Sequence, residues 1–328
     1  MNWPTEIPAG TAQQVSDAQA QLALERSGSA AIAAWQTQRV AELVQWLLDQ
    51  VPWWRERLGP KVDLNDWAQL PVLSRFELRQ MVAMHGCAAV PAHHGEAVPY
   101  YLAGPPGGAV RFYTSRFNQR MVDHAFYADH QRQGRNPYAH HACLTDDLPL
   151  HTGPHLAVAA SLESGHGPQS LRKLDLFTTQ DHVRWLQGVN PTYLTTTPQW
   201  LEAALDLAQS QPLALPEIRH VLTFGAAVPS SLRRKVRTQL GGSVRHRYTC
   251  LECGPLAFQC PRSDDYFHVA VGNVLLEVAP TGAVLVTALH QYATPLLRHD
   301  IGDTATLHPQ CPGCSTAVPT LSNLTQNA

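Results

Sequence analysis

The stretch Arg245-His246-Arg247-Tyr248-Thr249-Cys250-Leu251-Glu252-Cys253-Gly254-Pro255-Leu256-Ala257, with its continuation to Asp303, decides how the chain is read. Ser243 to Tyr248 has the composition of a strand, and Thr249 to Pro255 turns the chain. Two apolar runs follow, Val274 to Val278 and Val284 to Leu289, separated by Ala279-Pro280-Thr281-Gly282. Pro and Gly supply turn dihedrals between β-branched runs, so a hairpin is predicted there. The stretch closes with Pro295-Leu296-Leu297-Arg298-His299-Asp300-Ile301-Gly302-Asp303. Glu252 and Asp303 thus fall just beyond strand ends, each close to a glycine. Carboxylates so placed can hold a metal ion or accept hydrogen bonds from a ribose. Taken singly, they are also the acids that ordinary turns use.

Working outward, the 328 residues leave room for one large or two ordinary domains with a sizeable core. Hydrophobic residues make up 44% and charged residues 15%, the balance of a globular chain rather than a disordered one. A net charge of −2 without a long basic stripe gives nucleic acid or an anionic membrane nothing to bind. Met1 to Glu6 carries no basic segment followed by an apolar run, and no apolar run is long enough to span a bilayer. A cytoplasmic protein with neither nucleic-acid nor membrane partners is expected. Seven cysteines, an odd number, argue against a disulfide framework. The 17 histidines are scattered, which suits structural or solvated roles better than ligation.

Val40, Leu43, Val44, Leu47 and Leu48 recur at helical spacing, predicting a helix from about Ala30 with a break at Pro52 before Trp53-Trp54-Arg55-Glu56-Arg57-Leu58. A second helix is predicted over Arg116 to Gln133, a loop-rich passage over Cys143 to His155, and a short strand over Leu156 to Ala160. Pro191 to Pro198 reads as a strand running into a helix, Gln199 to Gln209, that buries Leu201, Leu205 and Leu207. Val221 to Phe224 is a further strand; Gly225-Ala226-Ala227-Val228-Pro229 turns it into a helix with Ser230 as N-cap and Gly241 as the stop. Arg233, Arg234, Lys235 and Arg237 on that helix read as a solvated face. Repeated strand-turn-helix units imply α/β layers.

The order of Tyr248, Glu252, Gly254 to Ala257, Cys260, His268, Pro295, Leu296, Arg298, Gly302 and Asp303 resembles the adenylate-forming superfamily, and within it the phenylacetate-CoA ligase-like branch. That family has a Tyr-Gly-x-Thr-Glu turn, then Gly-Pro-Leu-Ala-x-x-Cys, a histidine, a hairpin, and Pro-Leu-Ile-Arg-Tyr-x-x-Gly-Asp. Leu70-Pro71-Val72-Leu73-Ser74-Arg75 is similar to its N-terminal Leu-Pro-x-Leu-Thr-Lys. The likeness begins about forty residues in and runs to the end of the sequence. It implies an α/β fold, the adenylate-forming large-domain fold of stacked αβ layers plus a distorted β-barrel, with the small C-terminal domain absent. The segments expected are an N-terminal helical part (1–95), an αβ subdomain (96–242) and a β-rich subdomain (243–328). Residue by residue, Glu252 would help to bind magnesium and Asp303 would hold the ribose hydroxyls. Arg298 shares that strand end, Tyr248 would flank the adenine or acyl pocket, and the backbone of Gly225 and Ala226 would lie beside adenine.

Two departures stand out. Glycine-rich loops cradle phosphates with backbone N–H groups and hydroxyls. The counterpart of the family's Ser-Gly-Thr-Thr-Gly-Lys-Pro here is Ala103-Gly104-Pro105-Pro106-Gly107-Gly108-Ala109. Gly104 and Gly107 could still approach a phosphate, but the hydroxyls, the lysine and two N–H groups are gone. The family also continues into a mobile domain carrying a catalytic lysine, whereas no lysine occurs here after Lys235. Preorganised positive charge is a large part of transition-state stabilisation.

Cys311-Pro312-Gly313-Cys314 is a knuckle that presents two thiolates to one metal. By spacing, the other two ligands could be drawn from Cys253, Cys260 and His268, and the cysteines could equally be free or redox-active. The resemblance selects Cys260 and His268, giving a structural Cys3His zinc site.

The sequence therefore predicts an adenylate-forming acyl or aryl-acid ligase-like protein of a biosynthetic pathway, weakened or dependent on a partner. It would convert a carboxylate and ATP with magnesium into acyl-AMP, and onward to a thioester. The partners would be a small carboxylic acid or acyl intermediate and a protein supplying the lid or accepting the acyl group. Two other readings remain: an inactive pseudo-ligase that binds an acyl intermediate or a partner protein, and ATP-independent acyl chemistry through Cys250 or Cys253.

Overall fold

A computed structural model describes residues 9–59, 61–102, 110–136, 138–145, 169–210 and 218–326. The N-terminal elements are helices α1 (Ala9–Arg26), α2 (Ser29–Gln50), α3 (Pro52–Leu58) and α4 (Arg75–His85), then strands β1 (Ala97–Leu102) and β2 (Val110–Ser115) and helix α5 (Arg116–Arg132). The middle of the chain forms β3 (His141–Leu144), β4 (Gln169–Arg172), α6 (Thr179–Val189), β5 (Tyr193–Thr196), α7 (Pro198–Ser210), β6 (His220–Thr223), α8 (Ser230–Leu240) and β7 (Ser243–Cys250). Strands complete it: β8 (Gly254–Gln259), β9 (Phe267–Val269), β10 (Val274–Val278), β11 (Ala283–Ala288), β12 (His299–His308) and β13 (Thr320–Thr325). These elements fall into two compact units, Phe126–Tyr248 and Ala12–Ala125 with the chain from Thr249 onward.

In the first unit β4, β3, β5, β6 and β7 lie side by side, all parallel, with Leu194 opposite Val221 and Val221 opposite Val244. Parallel neighbours need crossover connections, and α6, α7 and α8 provide them. Their apolar faces (Val183, Leu186, Leu201, Leu205, Leu232, Val236) pack on Leu144, Leu194, Val221 and Val244. Leu207 is only half-buried, because it lies beyond the stripe that Leu201 and Leu205 define. Pro229, not Ser230, caps α8, and no side chain closes the cap; Gly241 ends the helix at φ +63°, as predicted. Lys235 of the basic face pairs with Glu202 and Asp206 of α7 at 3.1 and 2.7 Å. Asp129, buried at the end of α5, gathers Arg135, Arg132 and Arg247 at 3.1, 3.3 and 3.9 Å.

The second unit holds the order β10-β11-β12-β13-β9-β8, all antiparallel, and a separate β1–β2 hairpin. The predicted hairpin is present: Val278 pairs with Val284, and Gly282 turns at φ +89°. Pro52 breaks α2 from α3 as expected. Residues 9–26 form a helix that the sequence reading passed over, because Ala and Gln supply helix propensity without a strong apolar stripe. α4 opens with a capping box, in which Ser74 and Glu77 each bind the other's backbone N–H. The loop-rich passage past Thr145, the strand expected over Leu156 to Ala160, and the altered glycine loop with Gly104 and Gly107 lie outside the described residues.

Candidate functional site

In the second unit, Glu252 occupies the turn between β7 and β8. Gly254 leaves that turn at φ +85°, and a Cβ there would come within 3.2 Å of the Val122 side chain, so only glycine fits. The turn is clamped from outside. The Tyr100 hydroxyl donates to the Glu252 carbonyl oxygen at 2.8 Å, and Gln291 Nε2 approaches the same oxygen at 3.4 Å. Burial, with Cys253, Cys250 and Glu252 close by, raises the Tyr100 phenol well above its usual range, which keeps it a donor. Burial is therefore used here to hold a carboxylate-bearing turn in place.

Asp303 lies within β12, not beyond a strand end as the sequence predicts, at an irregularity. Leu285 faces Asp300 and Ala283 faces Thr304, so the single residue Val284 stands opposite Ile301, Gly302 and Asp303. Extra residues on one strand bend it and re-aim its side chains. Gly302 absorbs the bend at φ +79°, with the Arg75 guanidinium packed 3.4 Å from where its Cβ would be. Arg75 also donates to the Ile301 carbonyl. Asp303 itself is buried.

Arg298, at φ +47°, enters β12 with its guanidinium engaged by protein. It donates to the carbonyls of Ala68 and Leu70 and approaches Glu277 at 3.3 Å. Next to it, fully buried His299 donates Nδ1–H to the Leu73 carbonyl at 2.9 Å. Burial lowers the His299 pKa, while its hydrogen bond to Leu73 and the nearby Glu252 carboxylate act the other way. The Glu252 turn and the start of β12 are thus electrostatic neighbours. Sequence reasoning missed the roles of His299, Tyr100, Gln291 and Arg75; the available signals were the positions of His299 beside Arg298 and of Arg75 at the end of the Leu70 to Arg75 motif. In the first unit, Tyr248 is fully buried on β7. Gly225 turns at φ +87° with open space where a Cβ would be, and Ala226 follows it half-buried.

The four metal-ligand candidates come together. Cys260, His268, Cys311 and Cys314 place their donor atoms within 4.8 Å of one another. Cys260 leaves β8, His268 sits on β9 between β8 and β13, and the knuckle lies between β12 and β13. Cys311 Sγ is 3.8 Å from Cys260 Sγ, and Cys314 Sγ is 3.3 Å from His268 Nε2. A tetrahedral ion at ordinary bond lengths sets these edges near ~3.8 and ~3.6 Å. Gly313 of the knuckle approaches Ser263, whose Cβ would be 2.9 Å from an added methyl group. Burial pushes the Cys260 thiol up to about 12. The donor set fits a metal ion held by Cys3His.

One further pair belongs to the Glu252 turn: Cys250 Sγ and Cys253 Sγ are 3.1 Å apart. Among the described residues, no helix is long and apolar enough to cross a membrane.

No protein-family model matches the chain, and no curated protein matches it. Solved structures do. The chain is similar to 2-hydroxyisobutyryl-CoA ligase in an open conformation with 2-HIB-AMP and CoA, at 17% identity and TM-score 0.74, over 91% of this chain and 75% of that one. The same ligase in its thioesterification state gives 17% identity and TM-score 0.74, over 100% and 73%. VinN in complex with L-aspartate gives 18% identity and TM-score 0.50, over 74% and 67%. The fold is therefore that of the adenylate-forming CoA ligases.

Proposed function

We propose that the protein is an adenylate-forming ligase-like protein. It binds a nucleotide through the Glu252 turn and Asp303, and a small carboxylic acid or acyl intermediate beside it. The observation that carries this reading is the way one unit builds both acids into fixed irregularities. Glu252 is on a turn clamped by Tyr100 and Gln291, and Asp303 is on the Gly302 bulge. A carboxylate on a turn and one on a strand bulge suit a magnesium ion and ribose hydroxyls. The likeness to ligases solved with an acyl-AMP and CoA supports the same chemistry. Arg298 would act by positioning the start of β12 rather than by touching nucleotide. Gly104 and Gly107 would serve the phosphates. Cys260, His268, Cys311 and Cys314 would bind zinc as a structural ion that ties the end of β8 to the chain after β12.

The loop Ala103 to Ala109 favours a second reading, a binding protein that retains the pocket without turnover. It offers phosphates no hydroxyl and no lysine. Under the ligase reading, the transition-state cation would come from beyond these residues or from a partner protein.

Calorimetric titration with ATP and magnesium, and with AMP, tests the nucleotide site. Binding that Glu252→Ala and Asp303→Ala each weaken at least about tenfold, roughly 1.4 kcal/mol, is the expected result. Absence of binding for both nucleotides overturns it.

A further inference from the structure

The chemistry of Cys250-Leu251-Glu252-Cys253 is not used by the nucleotide reading. The two sulfurs lie 3.1 Å apart, a hydrogen-bonding distance, on the turn that carries Glu252. Cys250 is half-buried, Leu251 beside it is 51% exposed, and Cys253 is 8% exposed. Cys250 is thus the more accessible of the two residues. Among the described residues, the only Cys, His, Asp and Glu group with metal-ligand geometry is the one around Cys260. The close approach of the two sulfurs suits thiol–disulfide chemistry.

We propose that Cys250 and Cys253 form a modification site for small-molecule disulfides of the glutathione disulfide class, closing reversibly into a disulfide that locks the Glu252 turn. The Cys250 thiolate attacks one sulfur of the disulfide RSSR, forming a mixed disulfide and releasing one thiolate, which takes up a proton as RSH. Cys253 then gives up its proton and attacks the Cys250 sulfur, expelling the second RSH. In sum, two cysteine thiols are oxidised and one RSSR is reduced to two RSH. The sulfurs must approach by about 1 Å to reach the bond length of ~2.05 Å. The spacing is that of the C-x-x-C motif used for such exchange.

The backbone gives the closure its consequence. The bridge spans Glu252, whose carbonyl is already held by Tyr100 and Gln291. Closing it removes the remaining freedom of the carboxylate-bearing turn. Closure itself needs nothing from the nucleotide reading, so either can fail without the other.

The test equilibrates the full chain with mixtures of reduced and oxidised glutathione, quenches with acid, and alkylates after denaturation. Tryptic cleavage at Arg247 and Arg262 gives one peptide, Tyr248 to Arg262, that contains Cys250, Cys253 and Cys260. The expected oxidised product lacks two hydrogens, resists alkylation at Cys250 and Cys253, and stays alkylatable at Cys260. Cys250→Ser and Cys253→Ser each abolish it, Cys87→Ser leaves it unchanged, and dithiothreitol reverses it. Amide hydrogen exchange over Leu251 to Gly254 should slow at least about threefold on oxidation. Failure to close under fully oxidising conditions overturns the site, as does a glutathione adduct confined to Cys250 with Cys253 still alkylatable. A closed pair with unchanged exchange overturns the lock.

Discussion

The guanidinium of Arg298 is held by the main-chain carbonyl of Leu70, 228 positions earlier in the chain. It also donates to the Ala68 carbonyl at 2.9 Å and faces Glu277 at 3.3 Å. One side chain thus ties the segment before α4 to the start of β12, from a backbone at φ +47° that L-residues seldom adopt. Arg298→Ala strips two carbonyls and a carboxylate of their partner and should cost about 2–4 kcal/mol. Arg298→Lys should recover only part, since an ammonium lacks the planar fork. Urea unfolding of the three proteins measures this, and an unchanged midpoint in Arg298→Ala would remove the structural role.

The four-donor cluster predicts one tightly held zinc per chain. Cobalt substitution should give the intense charge-transfer absorption of thiolate ligation. Cys311→Ser and His268→Ala should each lower metal content and Tm, because binding to a site absent from the unfolded chain is folding free energy. Cys87→Ser, an exposed cysteine outside the cluster, should change neither. A chelator that leaves Tm unchanged would sink the structural role.

His290 predicts an acid-sensitive fold. Its Nε2–H donates to the Gly272 carbonyl at 2.9 Å, and burial lowers its pKa to about 4. The unfolded value is near ~6.5, so between roughly 4 and 6.5 the unfolded chain binds the proton and the folded one does not. Stability therefore rises with pH through that window and falls on acidification, by up to about 3 kcal/mol for a shift of this size. Denaturation series between pH 7.5 and 4.5 should show a shallower loss in His290→Gln. An equal slope would assign the acid sensitivity elsewhere.

Gly302 predicts the cost of disturbing the β12 bulge. At φ +79°, with Arg75 packed where a side chain would begin, Gly302→Ala should lose about 1–2 kcal/mol and Gly302→Val more. Because Asp303 is the next residue, nucleotide affinity should fall beyond what Asp300→Ala produces; Asp300 Oδ1 accepts from the Gly302 N–H at 2.8 Å. A nucleotide affinity unchanged in Gly302→Ala would show that the bulge does not aim Asp303.

What was legible in the sequence follows from which signals are local. The Val274–Ala288 hairpin, the Pro52 break and the Gly241 stop were readable because each depends on dihedrals set within a few residues. The metal cluster was readable only in halves. The knuckle is local, whereas Cys260 and His268 reach it through the pairing of β9 with β13. The sequence marked Arg298 as a site residue, and nothing local revealed that its guanidinium is engaged with Ala68 and Leu70. Helix 9–26 escaped for the opposite reason, since it is sustained by propensity and not by a stripe. Tyr100 and Gln291 had no sequence signal, because their role is to meet one carbonyl across 152 and 39 positions.

Asp129 carries the last prediction. Burial alone would raise its carboxyl, yet Arg135, Arg132 and Arg247 hold it below the usual carboxylate range. Arg135 is itself buried, and among the described residues its Nε and Nη2 have no hydrogen-bond partner and Asp129 is its counter-charge. Asp129→Asn keeps the shape and removes the charge, leaving buried guanidiniums uncompensated, and should cost about 3–5 kcal/mol. Arg135→Met should cost less, because Asp129 keeps Arg132 and Arg247. The sign with pH follows: a depressed carboxyl stabilises above its unfolded pKa, near ~3.9, and loses that contribution as pH falls through the folded value. The wild-type chain should therefore lose stability below about pH 4 more steeply than Asp129→Asn. If Arg135→Met proves the more damaging of the two, the cluster is held by packing of its arginine stems rather than by charge.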